Sequence, residues 1–423
     1  MLAHDESVGR IINKGWATSV REITLTLETV TPMFLGGADP RGEPELRAPA
    51  FRGAMRYWLR ALVGAAGEQT MRRCEDYLFG AVGDQATAGA VNLRLFPQAS
   101  LSLQSYSELT KAQLGTAYLW FAARRTRQES ERSAILPTKF DFVMSSLRSK
   151  QPAQDLEQVA AVLWLLTRLG GIGARSRRFA GGVQVAAVKS NYDPQSIIGQ
   201  LSISANSPQA LASDIAQGIK NARRVFGVQK PANPAPDQFD VLHPDRCQIF
   251  VLDRIFDSWQ SAVEAIGSTY RSFREMRQPD YGVVKTAMTR GVNLQAAVQR
   301  AAFGLPIPFF FRSLNNRTNC TATLQAEECT EQGECINIDR RASPLWMRIV
   351  RLSNSQYTVV FTWFKSQFLP EAARLLLTKR NQPNRYGQEL PNDQLIAIFL
   401  TGNDQQNRSS LKDAGYNLLR VQL

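Results

Sequence analysis

Residues 30–64 read V-T-P-M-F-L-G-G-A-D-P-R-G-E-P-E-L-R-A-P-A-F-R-G-A-M-R-Y-W-L-R-A-L-V-G. Just upstream, Ile23, Leu25 and Leu27 alternate with Thr24, Thr26 and Glu28, the pattern of a strand with one buried face. Thr31-Pro32 closes that strand, because proline cannot donate to a sheet ladder. Gly36-Gly37 make a loop that carries Asp39 and Arg47 and enters a helix through Pro49, a residue suited to a first helical turn. Phe51, Met55, Trp58 and Leu62 follow at helical spacing as a core stripe, with Arg52, Arg56 and Arg60 on a neighbouring stripe. Three stacked guanidinium groups with no acid between them repel one another, so the pattern calls for a bound anion.

Working outward, V-N-L-R-L-F (within 90–106) and A-Y-L-W-F (within 114–122) predict two strands. A polar stretch with four arginines, 124–132, lies beyond them. A long apolar helix is expected from about Pro152 to Leu169, with acids in its first turns and Arg168 at its end, the favourable order for the helix dipole. Val183, Val185 and Ala187 alternate as a further strand. The resulting β–α–β–β–α–β order predicts a ferredoxin-like, RRM-type domain over 21–195, after a loose leader at 1–20. One sheet face packs on the helices and the other is left for a ligand.

A second, more decorated unit of the same kind is expected over 196–423. A helix opens at Ser207-Pro208 and a Pro-rich connection spans 228–246. Cys247–Leu252 reads as a strand, Phe256–Met276 as a helix, and 285–303 as a polar helical stretch. A loop of low order covers 313–339, a hairpin spans Leu345–Leu352 and Tyr357–Phe364, and Phe368–Leu377 reads as the last helix. The fold class is α+β, with tandem ferredoxin-like domains and insertions.

The 423-residue chain has a net charge of +13 and a pI of about 9.7, which favours a polyanionic partner. The longest apolar run is too short to span a bilayer, so no membrane partner is expected. Five cysteines, an odd number without a secretory leader, read as a reduced, cytoplasmic protein. Cys320, Cys329 and Cys335 sit in a polar loop with no C-x-x-C pair, which reads as free thiols more readily than as a zinc site. His4 and His243 have no catalytic setting. Asp39 is the one acid placed to orient a nucleophile or a metal ion, although an acid in such a loop more often answers an arginine. No cofactor is expected.

The run G-G-I-G-A-R-S-R-R-F-A-G-G at 170–182 invites a dinucleotide-binding reading, but Ser176 stands where the third glycine would be, and a helix precedes the run instead of following it. What remains is a loop of amides at Gly170, Gly171 and Gly173 with Arg175, Arg177 and Arg178, suited to wrapping a phosphate backbone. Tyr57 and Phe179 are the aromatics best placed to stack on bases.

These motifs resemble the RAMP superfamily of CRISPR-associated proteins, in its type III-B (Cmr) branch. The helix motif R-G-x-x-R-x-W-x-R is matched by Arg52, Gly53, Arg56, Trp58 and Arg60, and L-G-G-I-G-A-R-S-R-R (169–178) is similar to the superfamily's glycine-rich loop. G-L-P (304–306) and R-R-A-S-P-L (340–345) extend the likeness. Phe179 departs from the pattern, since glycine usually follows the paired arginines. The resemblance implies tandem ferredoxin-like domains in a multi-subunit filament. It also implies a guide RNA held at its 3′ part, target single-stranded RNA, and other Cmr subunits as neighbours. It implies a non-catalytic role, with Gly36, Gly37, Arg47, Arg52, Arg56, Arg60, Gly170, Gly171, Gly173, Arg175, Arg177 and Arg178 on the RNA. The alternatives are an endoribonuclease acting through Asp39 and a basic scaffold for acidic proteins.

Overall fold

The computed structural model describes residues 21–83, 86–146, 149–275, 280–311, 321–338, 340–379, 383–402 and 409–423. The expected leader at 1–20 lies outside these residues. Strand β1 (Glu22–Thr29) is followed by α1 (Ala48–Val63), α2 (Glu68–Phe79) and β2 (Asn92–Pro97). Next come α3 (Leu114–Leu119), β3 (Lys139–Ser145), α4 (Pro152–Leu169) and β4 (Val183–Val188). The sheet order is β2-β3-β1-β4, antiparallel throughout.

Alternation places Ile23, Leu25 and Leu27 opposite Met144, Phe142 and Phe140 on one face. That face packs on α1 and α4, with the Phe51 ring 5.5 Å from those of Phe140 and Phe142. Each such fully buried side chain contributes about 1.5–3 kcal/mol. The opposite face carries Thr24, Thr26, Arg94 and Asp141, and Asp141 is held by Lys189, Gln98 and Thr26.

One strand differs from the sequence reading. Residues 114–119 are helical, and the third strand of the sheet is β3. The Glu264 carboxylate accepts from the amides of Gly115 and Thr116 at 2.9 Å, capping α3 from a distant part of the chain. A Cβ on Gly115 would lie 2.6 Å from the Glu264 carbonyl, so the two helices touch at backbone distance. This tertiary cap outweighs the β propensity of A-Y-L-W-F.

Helix α5 (Pro208–Val225), capped by the Ser207 hydroxyl, leads to β5 (Cys247–Leu252) and α6 (Trp259–Glu275). Strands β6 (Leu345–Arg351) and β7 (Tyr357–Phe364), helix α7 (Gln394–Thr401) and strand β8 (Leu418–Val421) complete a second sheet, ordered β6-β7-β5-β8. Both faces of this sheet are covered. Ile249, Val251, Trp346, Val350 and Val360 pack on α1, α4 and α5. Phe250, Met347, Ile349, Val359 and Phe361 pack on α6 and α7. Burial on both sides explains the nearly unbroken apolar runs in β6 and β7.

Two segments, one between α6 and β6 and one between β7 and α7, together build an inserted unit with a separate core. Its sheet pairs Thr321–Cys329 with Cys335–Ile338, Ala373–Thr378 and Ile307–Phe310, and Arg385–Gly387 joins at Ala373–Thr378. The expected loop of low order at 313–339 therefore contains a hairpin over 321–338. The expected last helix at 368–377 is a strand, with Leu375 and Leu377 in the core. The helix over 285–303 divides into Asp280–Arg290 and a short 3-10 turn at Gln299–Phe303. Among the described residues, no helix is long and apolar enough to cross a membrane.

Candidate nucleic-acid interface

The opening loop folds tightly before α1. A Cβ on Gly36 would sit 2.9 Å from the Pro40 Cα, and one on Gly37 2.4 Å from the Glu45 carboxylate, so neither position tolerates a side chain without movement. The Asp39 carboxylate accepts from the Arg41 amide at 2.8 Å, an Asx turn at an exposed tip. Arg41 turns inward: its guanidinium donates to the carbonyls of Ala122, Arg124 and Ser130 and pairs with Glu129.

Helix α1 starts after Arg47, whose extended backbone forms the cap position, and Pro49 lies in its first turn. The Arg47 side chain is partly exposed and stands 3.9 Å from Glu45. Arg52 is half-buried, has no acidic partner among the described residues, and its Nε is buried without a hydrogen-bond partner. Beside it Gly53 faces open space.

Arg56 and Arg60 require a correction. Their anion is supplied by the protein: both pair with the Glu75 carboxylate of α2 at 2.5–2.6 Å. Burial alone would raise the Glu75 carboxyl, but hydrogen bonds and charge from Arg60 and Arg56 outweigh it and hold the group below its usual range. The signal was present in the α1–Gly64–Gly67–α2 turn, because an antiparallel helix pair brings residues on either side of the turn together. Arg56, Arg60 and Glu75 line a cavity of about 1490 Å³ that Asp240 and Arg341 also line.

The glycine-rich loop is a junction between the units. Arg178 is 6% exposed and donates to the carbonyls of Leu345 and Phe303 and to the Tyr270 hydroxyl. Arg175 donates to the Leu119 carbonyl, and burial lowers its pKa to about 10. Arg177 lies over the rings of Tyr57 and Trp346, 5.1 and 4.6 Å from their centroids, and bonds to the Ser343 carbonyl. The Gly170 amide is used by Leu166. Gly170 and Gly171 are buried, whereas Gly173 is exposed with φ of +84°.

In return, Arg348 of β6 is fully buried and donates to the carbonyls of Thr167, Gly170 and Val183. The expectation that this whole loop wraps phosphate is therefore revised. A buried arginine satisfied by carbonyls is a strut, and Phe179, 1% exposed, cannot stack on a base. Tyr57 is also occupied: it donates to Asp240 at 2.7 Å and accepts from the Trp346 indole at 3.0 Å.

The family model of the RAMP superfamily matches residues 26–184, which span the opening loop, α1 and the glycine-rich junction. This part of the chain is similar to that superfamily. Similarity extends beyond it. The CRISPR system Cmr subunit Cmr1-1 of Pyrococcus furiosus is 23% identical over 352 residues, covering 82% of this chain and 88% of that protein. Cmr1-2 of the same organism is 26% identical over 188 residues, 40% of this chain and 97% of its own length. The crystal structure of apo Cmr1 from Pyrococcus furiosus superposes with a TM-score of 0.57 at 18% identity, covering 95% of this chain and 99% of that one. A chain of the type III-B Cmr-beta complex bound to cognate target RNA gives 0.50 at 12% identity, covering 82% and 94%. At these identities the structural likeness establishes the shared fold.

His243 is buried, with Nε2 at 3.0 Å from the Ala232 carbonyl and Nδ1 accepting from the Asp245 amide, so it pins the Pro-rich connection. His4 and Cys320 lie outside the described residues. Cys329 and Cys335, expected as free thiols, form a disulfide across the inserted hairpin. Their sulfurs and the Glu327 carboxylate lie within 4.8 Å of one another, and that carboxylate is paired with Arg374.

Proposed function

We propose that the chain is the Cmr1-type subunit of a type III-B CRISPR ribonucleoprotein. In this reading it holds the 3′ part of the guide RNA, helps capture target RNA and contacts other Cmr subunits without cutting RNA itself. The correspondence with Cmr1-1 over most of both chains carries the reading, because it reaches far beyond the RAMP-similar stretch. The two sheets support it at the level of fold. Both place their first, second, third and fourth strands in the order 2-3-1-4 with antiparallel neighbours, so we assign tandem ferredoxin-like units to 21–195 and 196–423. The net charge of +13 supports a polyanionic ligand.

Of the sequence candidates, Arg52 and Arg47 on α1 are the best placed for phosphate, with Gly36, Gly37 and Gly173 allowing close approach. Arg56 and Arg60 contribute only as far as Glu75 releases them. The test is a salt titration of single-stranded RNA binding. Arg52→Ala lowers affinity and reduces the log–log salt slope by about 0.7, the share of one phosphate on a single strand. An unchanged slope in the folded variant removes Arg52 from the interface. Incubation of labelled RNA with Mg²⁺ leaves it intact with both the wild type and Asp39→Ala. Cleavage that Asp39→Ala abolishes would make this protein a nuclease.

A further inference from the structure

The segment from Phe121 to Arg132 has both of its acids engaged by neighbouring elements and leaves three of its arginines exposed and unpaired among the described residues. It follows α3 as a short 3-10 turn, Phe121–Ala123, and then closes on itself. The Arg132 amide donates to the Ala123 carbonyl at 2.8 Å, and the Thr126 amide donates to the Glu129 carbonyl at 3.0 Å. The Thr126 hydroxyl accepts from the amides of Gln128 and Glu129. From outside, Arg41 pins the loop through its carbonyls and through Glu129. The loop therefore has a defined shape.

Of its two acids, Glu129 is paired with Arg41, and Glu131 accepts from the amide and hydroxyl of Ser107. Arg124, Arg125 and Arg127 are exposed, and their side chains have no acidic, carbonyl or aromatic partner among the described residues. Three unneutralised guanidinium groups within four residues, on a structured loop, create a strong local positive field. Arg132 is shifted down first by burial and then by the charges of Arg41 and Arg340, with Glu129 and Asp39 acting in the opposite direction.

An aromatic ring stands at the base of the loop. Phe121 is 45% exposed, and the Arg175 guanidinium lies 5.2 Å from its centroid. Arg175 is fixed by its bonds to the Leu119 carbonyl, so it holds the Phe121 ring in place from the protein side. An exposed, buttressed aromatic ring beside unpaired arginines is the arrangement that sequence-tolerant single-strand binders use: bases stack on the ring and phosphates follow the cations.

We propose that Phe121 and Arg124, Arg125 and Arg127 form a single-stranded RNA contact separate from the α1 surface, with one base on Phe121 and the following phosphates on the arginines. This rests on the reading of the protein as an RNA-binding subunit and assigns a second stretch of that RNA to a loop outside the motifs. Arg41 acts as a positioning residue, because it shapes the loop through backbone acceptors.

The test is fluorescence anisotropy of the full chain with a labelled 20-nucleotide oligouridylate across a salt series. Replacing Arg124, Arg125 and Arg127 together by Ala reduces the log–log slope by about 2, at about 0.7 per phosphate. Phe121→Ala weakens binding about tenfold with the slope unchanged, and Phe121→Trp restores it. Circular dichroism and thermal melting confirm that these surface variants are folded. If wild type binds and both variants bind equally well with the same slope, the loop is not an RNA contact, while the reading of the protein stands. If wild type binds no RNA, that reading fails and this proposal fails with it. Unaltered RNA binding with lost binding to polyglutamate assigns the loop to an acidic protein and overturns the proposal.

Discussion

Glu157 makes the stability of this protein depend on pH in a direction opposite to most carboxylates. It lies in α4, is 8% exposed, and accepts from the Ile197 amide at 3.2 Å. Burial raises its pKa to about 7, and the hydrogen bonds from Ile197 and Ser196 only partly offset this. An unfolded glutamate titrates near 4.3. Between these values the folded chain keeps a proton that the unfolded chain has released. Stability is therefore highest below about pH 4.3 as far as this group is concerned, falls as pH rises, and is flat above about 7. The span of roughly 2.7 units corresponds to about 3.7 kcal/mol. For 423 residues unfolding as one unit, at roughly 2 cal/mol/K per residue, that is about 4 °C in Tm. Glu157→Gln keeps a carbonyl acceptor for the Ile197 amide and removes the charge. The variant is expected to melt up to about 4 °C higher than wild type at pH 8, with the difference closing toward pH 5. Differential scanning calorimetry at matched ionic strength reads both curves. Parallel pH profiles would mean that Glu157 titrates in the folded chain as it does in the unfolded one, and the argument would fail.

Two further outcomes follow from the arginine partners. Glu75→Gln releases Arg56 and Arg60, so single-stranded RNA binding strengthens and its log–log salt slope steepens by up to about 1.4, read by the same anisotropy titration. A slope equal to that of wild type would place both arginines away from RNA. Arg348→Met strips donors from the carbonyls of Thr167, Gly170 and Val183, at about 1–3 kcal/mol per orphaned acceptor less the relief of burying a guanidinium. Hydrogen exchange is expected to accelerate selectively over 166–184, and unchanged protection there would refute the strut assignment.

The first strand, α1, α4, β4 and the β6–β7 hairpin were legible because alternation and helical periodicity are local signals. The third strand was missed because K-F-D-F-V-M-S follows an arginine-rich loop, and its partner face is defined only once β1 lies beside it. Residues 114–119 misled for the complementary reason: the Glu264 cap that makes them helical is 148 residues away from Thr116. The strand at 373–378 reads equally well as a short helix, since R-L-L-L-T carries no period long enough to decide. At the site, residue type was legible and pairing was not. Sequence shows that Arg56, Arg60 and Arg178 are arginines in phosphate-suited motifs. Whether each guanidinium meets Glu75, a carbonyl or solvent depends on which elements pack across it.

The second sheet has no solvent face of its own, and this constrains how the protein is made. When α5 has left the ribosome, the apolar surfaces of α1, α4 and α5 are complete, but three of the four strands that cover them are finished only at Phe364 and β8 follows later still. At ordinary synthesis rates the intervening stretch takes roughly 10–30 s to emerge. During that interval the nascent chain presents sticky helical surface with no mate, a natural target for trigger-type chaperones. For the same reason, separately expressed halves would each carry an uncovered apolar face and would be expected to need co-expression to stay in solution.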